Sequence, residues 1–274
     1  MLKCGITGAN GVLGRRIRKE LPYQFYVYKD KIENYKKVQK WINSKKLDAV
    51  LHLAAIVPTD KVKKNLKKAK SVNIDGTKNI IKAILKTPNP PNWFFYASTS
   101  HVYPSNLKKK KLSETDKVKP YSQYGKTKLG GEKIVKKNFK NQKTNFYIGR
   151  IFSFTDRNQK IPFVMPSLVS LIKNTKKKQV QLGNLNHYRD FLSTRDIASA
   201  IKILCNNKKK GIFNIGSGKG INLKKIAKII AKKFKKRIIF LTDNKPTYLI
   251  SDSSKLKKLG WKSKKFKNKI SYFY

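Results

Sequence analysis

Apolar and polar positions change period several times along the chain, and each change marks an element. Leu2, Cys4 and Ile6 alternate as a short strand. The chain then breaks at Gly8, Gly11 and Gly14 and continues into an amphipathic stretch carried by Leu13, Ile17 and Leu21. This predicts strand, tight turn and helix. After Pro22, residues 25–28 predict a second strand and 35–42 a helix, with little room between them for anything further. The continuous apolar run 49–55 predicts a buried parallel strand. A helical segment with Lys on its outer face spans 62–85 and stops before Pro88, Pro90 and Pro91. A buried strand at 93–98, a loop at 104–120, a helix at 121–139 and a strand at 146–151 follow. Strands alternating with helices predict an α/β fold, a parallel sheet wound on both faces.

From Phe152 the style changes, with Pro162, Pro166 and Gly183 as interruptions. A helix is expected at 194–204, capped by Ser193 or Thr194. A strand at 212–215 runs into Gly216-Ser217-Gly218, and a helix at 223–234 and a strand at 237–241 follow. The expected division is a first domain of 1–151, also taking in about 186–216, and a smaller lobe of 152–185 and 217–274.

The opening glycines carry the first chemistry. Gly8 permits the turn, Gly11 lets backbone approach a phosphate, and Gly14 lets the helix press onto the strand. The helix start then offers free N–H groups to a pyrophosphate. An ordinary glycine-rich turn has the same composition, so the reading needs support from elsewhere in the chain.

Charge tests a rival. The chain has 274 residues, 65 of them Lys or Arg against 14 Asp or Glu, for a formal charge of +51. That invites a nucleic-acid partner. However, only eight of the basic residues are Arg, the side chain on which base-edge readout depends most. The lysines are spread over the whole chain, and no finger, homeodomain or ribonucleoprotein segment is present. The coat reads as solvated surface, with no specific nucleic acid expected. No apolar run reaches the roughly 18–20 residues of a membrane span, and the start goes directly into a strand, so a soluble cytoplasmic protein is expected. Cys4 and Cys205 suggest neither a disulfide framework nor a metal site.

A second constellation supplies the support. Tyr124 and Lys128 sit four apart on a predicted helix and share a face, and the strand before it ends in Ser98, Thr99 and Ser100. A phenol is a weak base at its ordinary pKa of about 10. A neighbouring ammonium and the positive nicotinamide of an oxidised cofactor favour the phenolate. Tyr124 would then exchange a proton with a sugar oxygen, with Thr99 holding that oxygen and Lys128 gripping the cofactor ribose.

These segments resemble the extended short-chain dehydrogenases/reductases of the NAD-dependent epimerase/dehydratase type. The matching segments are 7–14, His52-Leu53-Ala54-Ala55, 72–77, 98–103, 124–128, Arg189-Asp190-Phe191, Arg195-Asp196, 213–218 and 251–261. The resemblance implies a Rossmann-type, doubly wound parallel sheet with a smaller C-terminal substrate-binding lobe. It implies catalysis by Thr99, Tyr124 and Lys128. Cofactor contacts are expected from Gly8, Asn10, Gly11, Val12, Leu13, Gly14, Leu53, Ala54, Ala55, Asn73 and Ile151, with Tyr124 and Lys128. Substrate contacts are expected from Thr99, Ser100, His101, Ser153 and Arg189. The cofactor is NAD or NADP, depending on whether Lys29 or Asp30 closes the second strand. The partner is a nucleotide-diphosphate sugar, and a homodimer is implied.

The compressed stretch 30–34 is similar to dTDP-4-dehydrorhamnose reductase-like members, and Arg150, Gln159 and the segment 183–196 to GDP-4-dehydro-6-deoxymannose reductases. Both point to reduction of a 4-keto-6-deoxy sugar nucleotide, with 4-epimerisation as the alternative. The dehydratase acid pair after Thr99 is replaced by Ser100 and His101, Pro104 stands for a family Gly, and Ser153 for an Asn. A non-catalytic cofactor-binding or nucleic-acid-associated protein is the reading from another class. His101 is a tempting acid, and Arg189 either contacts substrate phosphate or pairs with Asp190 or Asp196.

Overall fold

The computed structural model describes residues 1–57, 59–207, 209–241 and 245–264. β1 (Lys3–Thr7) leads to α1 (Val12–Glu20), and β2 (Gln24–Val27) to α2 (Tyr35–Asn43). β3 (Ala49–His52) is followed by α3 (Thr59–Lys64), α4 (Leu66–Lys70), a π turn (Ser71–Asp75) and α5 (Gly76–Lys86). β4 (Trp93–Thr99) ends in a 3-10 turn (Ser100–Val102), and α6 (Gln123–Phe139) precedes β5 (Asn145–Ile151). Then come β6 (Ser153–Thr155), α7 (Val164–Asn174), β7 (Gln179–Leu182), β8 (His187–Ser193), α8 (Thr194–Cys205) and β9 (Gly211–Ile215). β10 (Gly220–Asn222), α9 (Leu223–Lys233), β11 (Arg237–Phe240), β12 (Thr247–Leu249) and α10 (Ser254–Lys257) complete the elements.

The main sheet has the order β2-β1-β3-β4-β5-β9, every pair parallel. The chain leaves β1 toward β2 and returns on the other side to β3. That reversal opens a crevice at the carboxyl ends of β1 and β3, which is where such sheets bind ligands. β2 is an edge strand because the short stretch 30–34 holds no further strand.

Two apolar layers cover the sheet. Ile17, Ile201, Leu204 and Trp261 lie in one, and Val38, Ile81, Val135 and Phe139 in the other. Phe94 and Phe95 of β4 are fully buried toward opposite layers. Each such side chain stabilises by about 1.5–3 kcal/mol relative to exposure. No helix among the described residues is long and apolar enough to cross a membrane.

In the second lobe, β8 is flanked by β10 and β12 and also pairs with β6, while β11 pairs with β7. α7 and α9 cover this lobe with Met165, Leu168, Ile172, Leu223, Ile226 and Ile230. Two features bear on the expected division. β9 takes the free edge of β5, so β8 pairs its backbone in the lobe sheet rather than the main one. The chain after β12 returns to the main core, where Trp261 donates to Asp196 O at 3.2 Å and Ser199 Oγ at 3.0 Å.

The segment 62–85 is broken once, at Asn65, and bulges once, in the π turn. Asn65 caps α4 by accepting from Lys68 N–H at 2.9 Å, and the π turn carries Asn73 into the interior. Ser193 proves to be the cap of α8, in a reciprocal box with Asp196.

Candidate active site

Gly8 adopts φ +69°, and a Cβ there would lie 2.7 Å from Ala54 N. A Cβ on Gly14 would run into Gly8 O and the Ala9 backbone. Gly11 N–H closes the turn on Gly8 O at 3.1 Å. Gly11, the N-cap of α1, supplies no side-chain cap, so the first N–H groups of the helix are open to a ligand. Leu53 and Ala54 are pressed against the same turn by hydrogen bonds to Thr7 O (3.3 Å) and Thr7 Oγ1 (3.2 Å). The glycines therefore leave a backbone-walled cradle at the switch point, which fits a dinucleotide's phosphates. Asn10, Val12 and Leu13 lie at its rim.

A buried polar chain braces the cradle. Thr77 hydroxyl donates to Asn73 O at 2.8 Å, so it accepts from His52 Nε2 at 2.9 Å. His52 Nδ1 then accepts from the Thr7 hydroxyl at 2.7 Å. Burial, and secondarily the Lys128 charge, pushes His52 down to about 3, so the ring stays neutral in this tautomer. Asn73, expected from the resemblance at the cofactor, is anchored within the protein. Its amide clasps Ile56 N–H (2.7 Å) and Ile56 O (3.3 Å) and donates to Thr127 Oγ1 at 3.0 Å. It ties the segment after β3 to α6.

Thr99, Tyr124 and Lys128 converge at the carboxyl ends of β4 and β5. Ser122 caps α6 by accepting from Gly125 N–H at 3.1 Å, which fixes the helix start just before Tyr124. The Thr99 side chain stands beside the Tyr124 phenol. Burial pushes that phenol up to about 12, with Thr99 opposing it. Lys128 is 2% exposed, and its ammonium sits 4.1 Å over the Tyr96 ring. Burial pushes it down to about 7, and the Glu132 carboxylate pushes it back up. Ile151, the register partner of Thr99, closes the floor at the end of β5.

His101 stands beside this group, its ring 5.7 Å from that of Tyr124 and 5.9 Å from that of Tyr121. Burial first, and the Arg189 charge second, push His101 down to about 4. That keeps its ring neutral near pH 7. Arg189 reaches in from β8 and donates to Thr247 O and Thr247 Oγ1, each at 3.1 Å. Neither expected acid pairs with it. Asp190 is held by Ser217, Gly218 and Ser251, and Asp196 caps α8. Ser100 is buried in the 3-10 turn, and Ser153 begins β6 at the lobe boundary, opposite Phe191.

Sequence reasoning did not assign a role to Glu132 and Arg150, an ion pair at 2.8 Å beneath the trio, or to Tyr96. Two signals were available: Glu132 continues the four-residue spacing of Tyr124 and Lys128, and Arg150 is the one charge in the apolar strand β5.

A family model described as GDP-mannose 4,6 dehydratase matches residues 12–271. The GDP-6-deoxy-D-talose 4-dehydrogenase of Aggregatibacter actinomycetemcomitans is 27% identical, over 93% of this chain and 90% of its own length. The dTDP-D-glucose 4,6-dehydratase of Dictyostelium discoideum is 28% identical over 78% of this chain, which spans only 51% of it. Among solved structures, RMD from Pseudomonas aeruginosa, complexed with NADPH, superposes with a TM-score of 0.88 at 18% identity. That match covers 99% of this chain and 97% of the other. At that identity the likeness establishes the Rossmann-type fold.

Proposed function

The chain belongs to the GDP-mannose 4,6-dehydratase family of extended short-chain dehydrogenases/reductases, NAD(P)-dependent enzymes of nucleotide sugars, and on that premise we propose that it reduces C4 of an NDP-4-keto-6-deoxy sugar. The observation that carries this choice is the tip of β4. Thr99 is followed by Ser100 and a neutral His101, so no carboxylate stands where dehydration would need an acid pair. The relative named as a 4-dehydrogenase of a GDP-6-deoxy sugar supports chemistry at C4.

When bound in the cradle, the nicotinamide supplies the hydride. The protein's residues handle the proton. Tyr124, whose phenol keeps its proton well above neutral pH, delivers it to the C4 oxygen. Thr99 holds that oxygen by a hydrogen bond, and the Lys128 ammonium stabilises the phenolate left behind. Arg189 offers its remaining donors to the diphosphate, for which a guanidinium fork is suited. A cofactor choice is also expected. Asp30 is paired with Lys37 at 2.5 Å while Lys29 stands exposed beside it. A cation at the end of β2 favours a 2′-phosphate, and hence NADPH.

A panel of nucleotide sugars with NADH and NADPH tests the reading. The expected result is cofactor consumption with a 4-keto-6-deoxy substrate and a product heavier by two hydrogens. A mass-neutral product formed on tightly held, co-purifying NAD would establish the 4-epimerase instead.

The assembly expected is a homodimer in the cytoplasm, joined across α5 and α6. Their outer faces form a groove of about 610 Å³ whose lining includes Ile74, Ile81, Leu85 and Ile134. Five lysines, at 78, 82, 86, 133 and 137, share that lining with Asp75. Two copies would bring like charges together, and salt screens such repulsion. The dimer fraction in light scattering should therefore rise with ionic strength, and a fraction that falls would remove this interface.

A further inference from the structure

Tyr124, Lys128 and Glu132 follow one another at intervals of four along α6, each about 6 Å further along the axis. All three lie toward the sheet. Glu132 is 1% exposed. A carboxylate is costly there unless it is paired and hydrogen-bonded. Two strands satisfy it. Ser98 Oγ of β4 donates at 2.5 Å, and Arg150 of β5 donates from Nη2 at 2.8 Å and from Nε at 3.1 and 3.3 Å. Ser98 and Arg150 are register partners, and Ser98 immediately precedes Thr99. Arg150 Nη1 continues to the Tyr103 hydroxyl at 3.0 Å. One carboxylate thus fastens the catalytic helix to the two strands whose tips frame the reacting groups.

Resting on the reading of Thr99, Tyr124 and Lys128 above, we propose that Glu132 is a positioning residue of the reaction. With Ser98 and Arg150 it fixes α6 against the tips of β4 and β5, and its charge keeps Lys128 an ammonium. The other groups around Lys128 do not supply that charge. From β3 comes His52, which is neutral, and from β4 the Tyr96 ring, whose hydroxyl burial holds protonated. The 3-10 turn contributes neutral His101, and the π turn and α5 contribute Asn73 and Thr77, which do not titrate. Asp60 on α3 and the lysines of α3 and α4 are exposed to solvent. Tyr124 itself holds its proton, and Arg150 spends its donors on Glu132, Tyr103 and Glu114 O.

The test is the pH profile of kcat in the reductive direction. Lys128 must be protonated, so kcat falls as pH rises through its pKa. Glu132→Gln keeps the shape and removes the charge, so that alkaline limb should move to lower pH by about one unit. Below the limb kcat should fall about tenfold while the dinucleotide Kd stays within about threefold. Glu132→Asp, which keeps the charge, should leave the limb in place. A folded Glu132→Gln protein with a wild-type limb overturns the proposal. Should Arg150, left unpaired, prevent folding, Glu132→Gln/Arg150→Gln carries no uncompensated charge; losing the guanidinium offsets part of the effect on Lys128, so a smaller displacement in the same direction is expected, and an unmoved limb overturns the proposal. If neither folds, Ser98→Ala decides: a tenfold loss in kcat is expected, and wild-type kcat would make the pair purely architectural. Tyr124→Phe runs alongside. If it keeps turnover, the active-site reading has failed; if it is inactive while the limb is unmoved in Glu132→Gln, only this inference has.

Discussion

Tyr124→Phe should fold, bind the dinucleotide and lose turnover by about a thousandfold. The lost group is one hydroxyl on a half-buried ring beside Thr99. A hydrogen bond made by such a group contributes about 1 kcal/mol to stability, so the fold persists. The chemical loss is far larger because no neighbour can replace the proton. His101 is neutral, Lys128 lies over the Tyr96 ring, and Glu132 is enclosed by Ser98 and Arg150. Thermal melting, dinucleotide titration and turnover on one preparation separate these effects. Turnover like that of the wild type would remove the proposed proton path.

Gly14→Val should weaken dinucleotide binding by at least about a hundredfold, a loss of about 2.7 kcal/mol. The first atom of any side chain at 14 meets the backbone of Gly8 and Ala9, which has no rotamer to yield. α1 must lift away from the turn, and its N–H groups leave the phosphate position. Gly11→Ala is the graded comparison. Its Cβ would lie 3.2 Å from Gly8 O, tight but within reach of a small shift, so a lesser loss is expected. Calorimetric titration with NADPH reads both variants. Wild-type affinity in Gly14→Val would place the dinucleotide away from this cradle.

Much of the molecule was legible because its signals are local. The order of strands and helices follows from apolar period, the cradle from three glycines between strand and helix, and the shared face of Tyr124 and Lys128 from a spacing of four. The fastening of β8 was not legible, because nothing in 187–193 tells whether its backbone pairs with β5 or with β6, β10 and β12. Nor was the role of Asn73. Its match to a cofactor-contacting position said nothing of the π bulge that turns its amide onto Ile56 and Thr127. Arg189 shows the same limit: two acids lie close in sequence, yet Thr247, 58 residues away, receives its donors.

The sequence by itself determined which groups are present and which of them share a helix face or a strand tip, since neighbouring residues reach those positions through backbone geometry alone. Only the tertiary structure decided which buried charge answers which. Glu132 meets Arg150 across 18 residues, and His52 is held between Thr7 and Thr77 across 45 and 25. A buried ionisable group takes its protonation state from whatever the fold sets against it, and that company is assembled from distant parts of the chain.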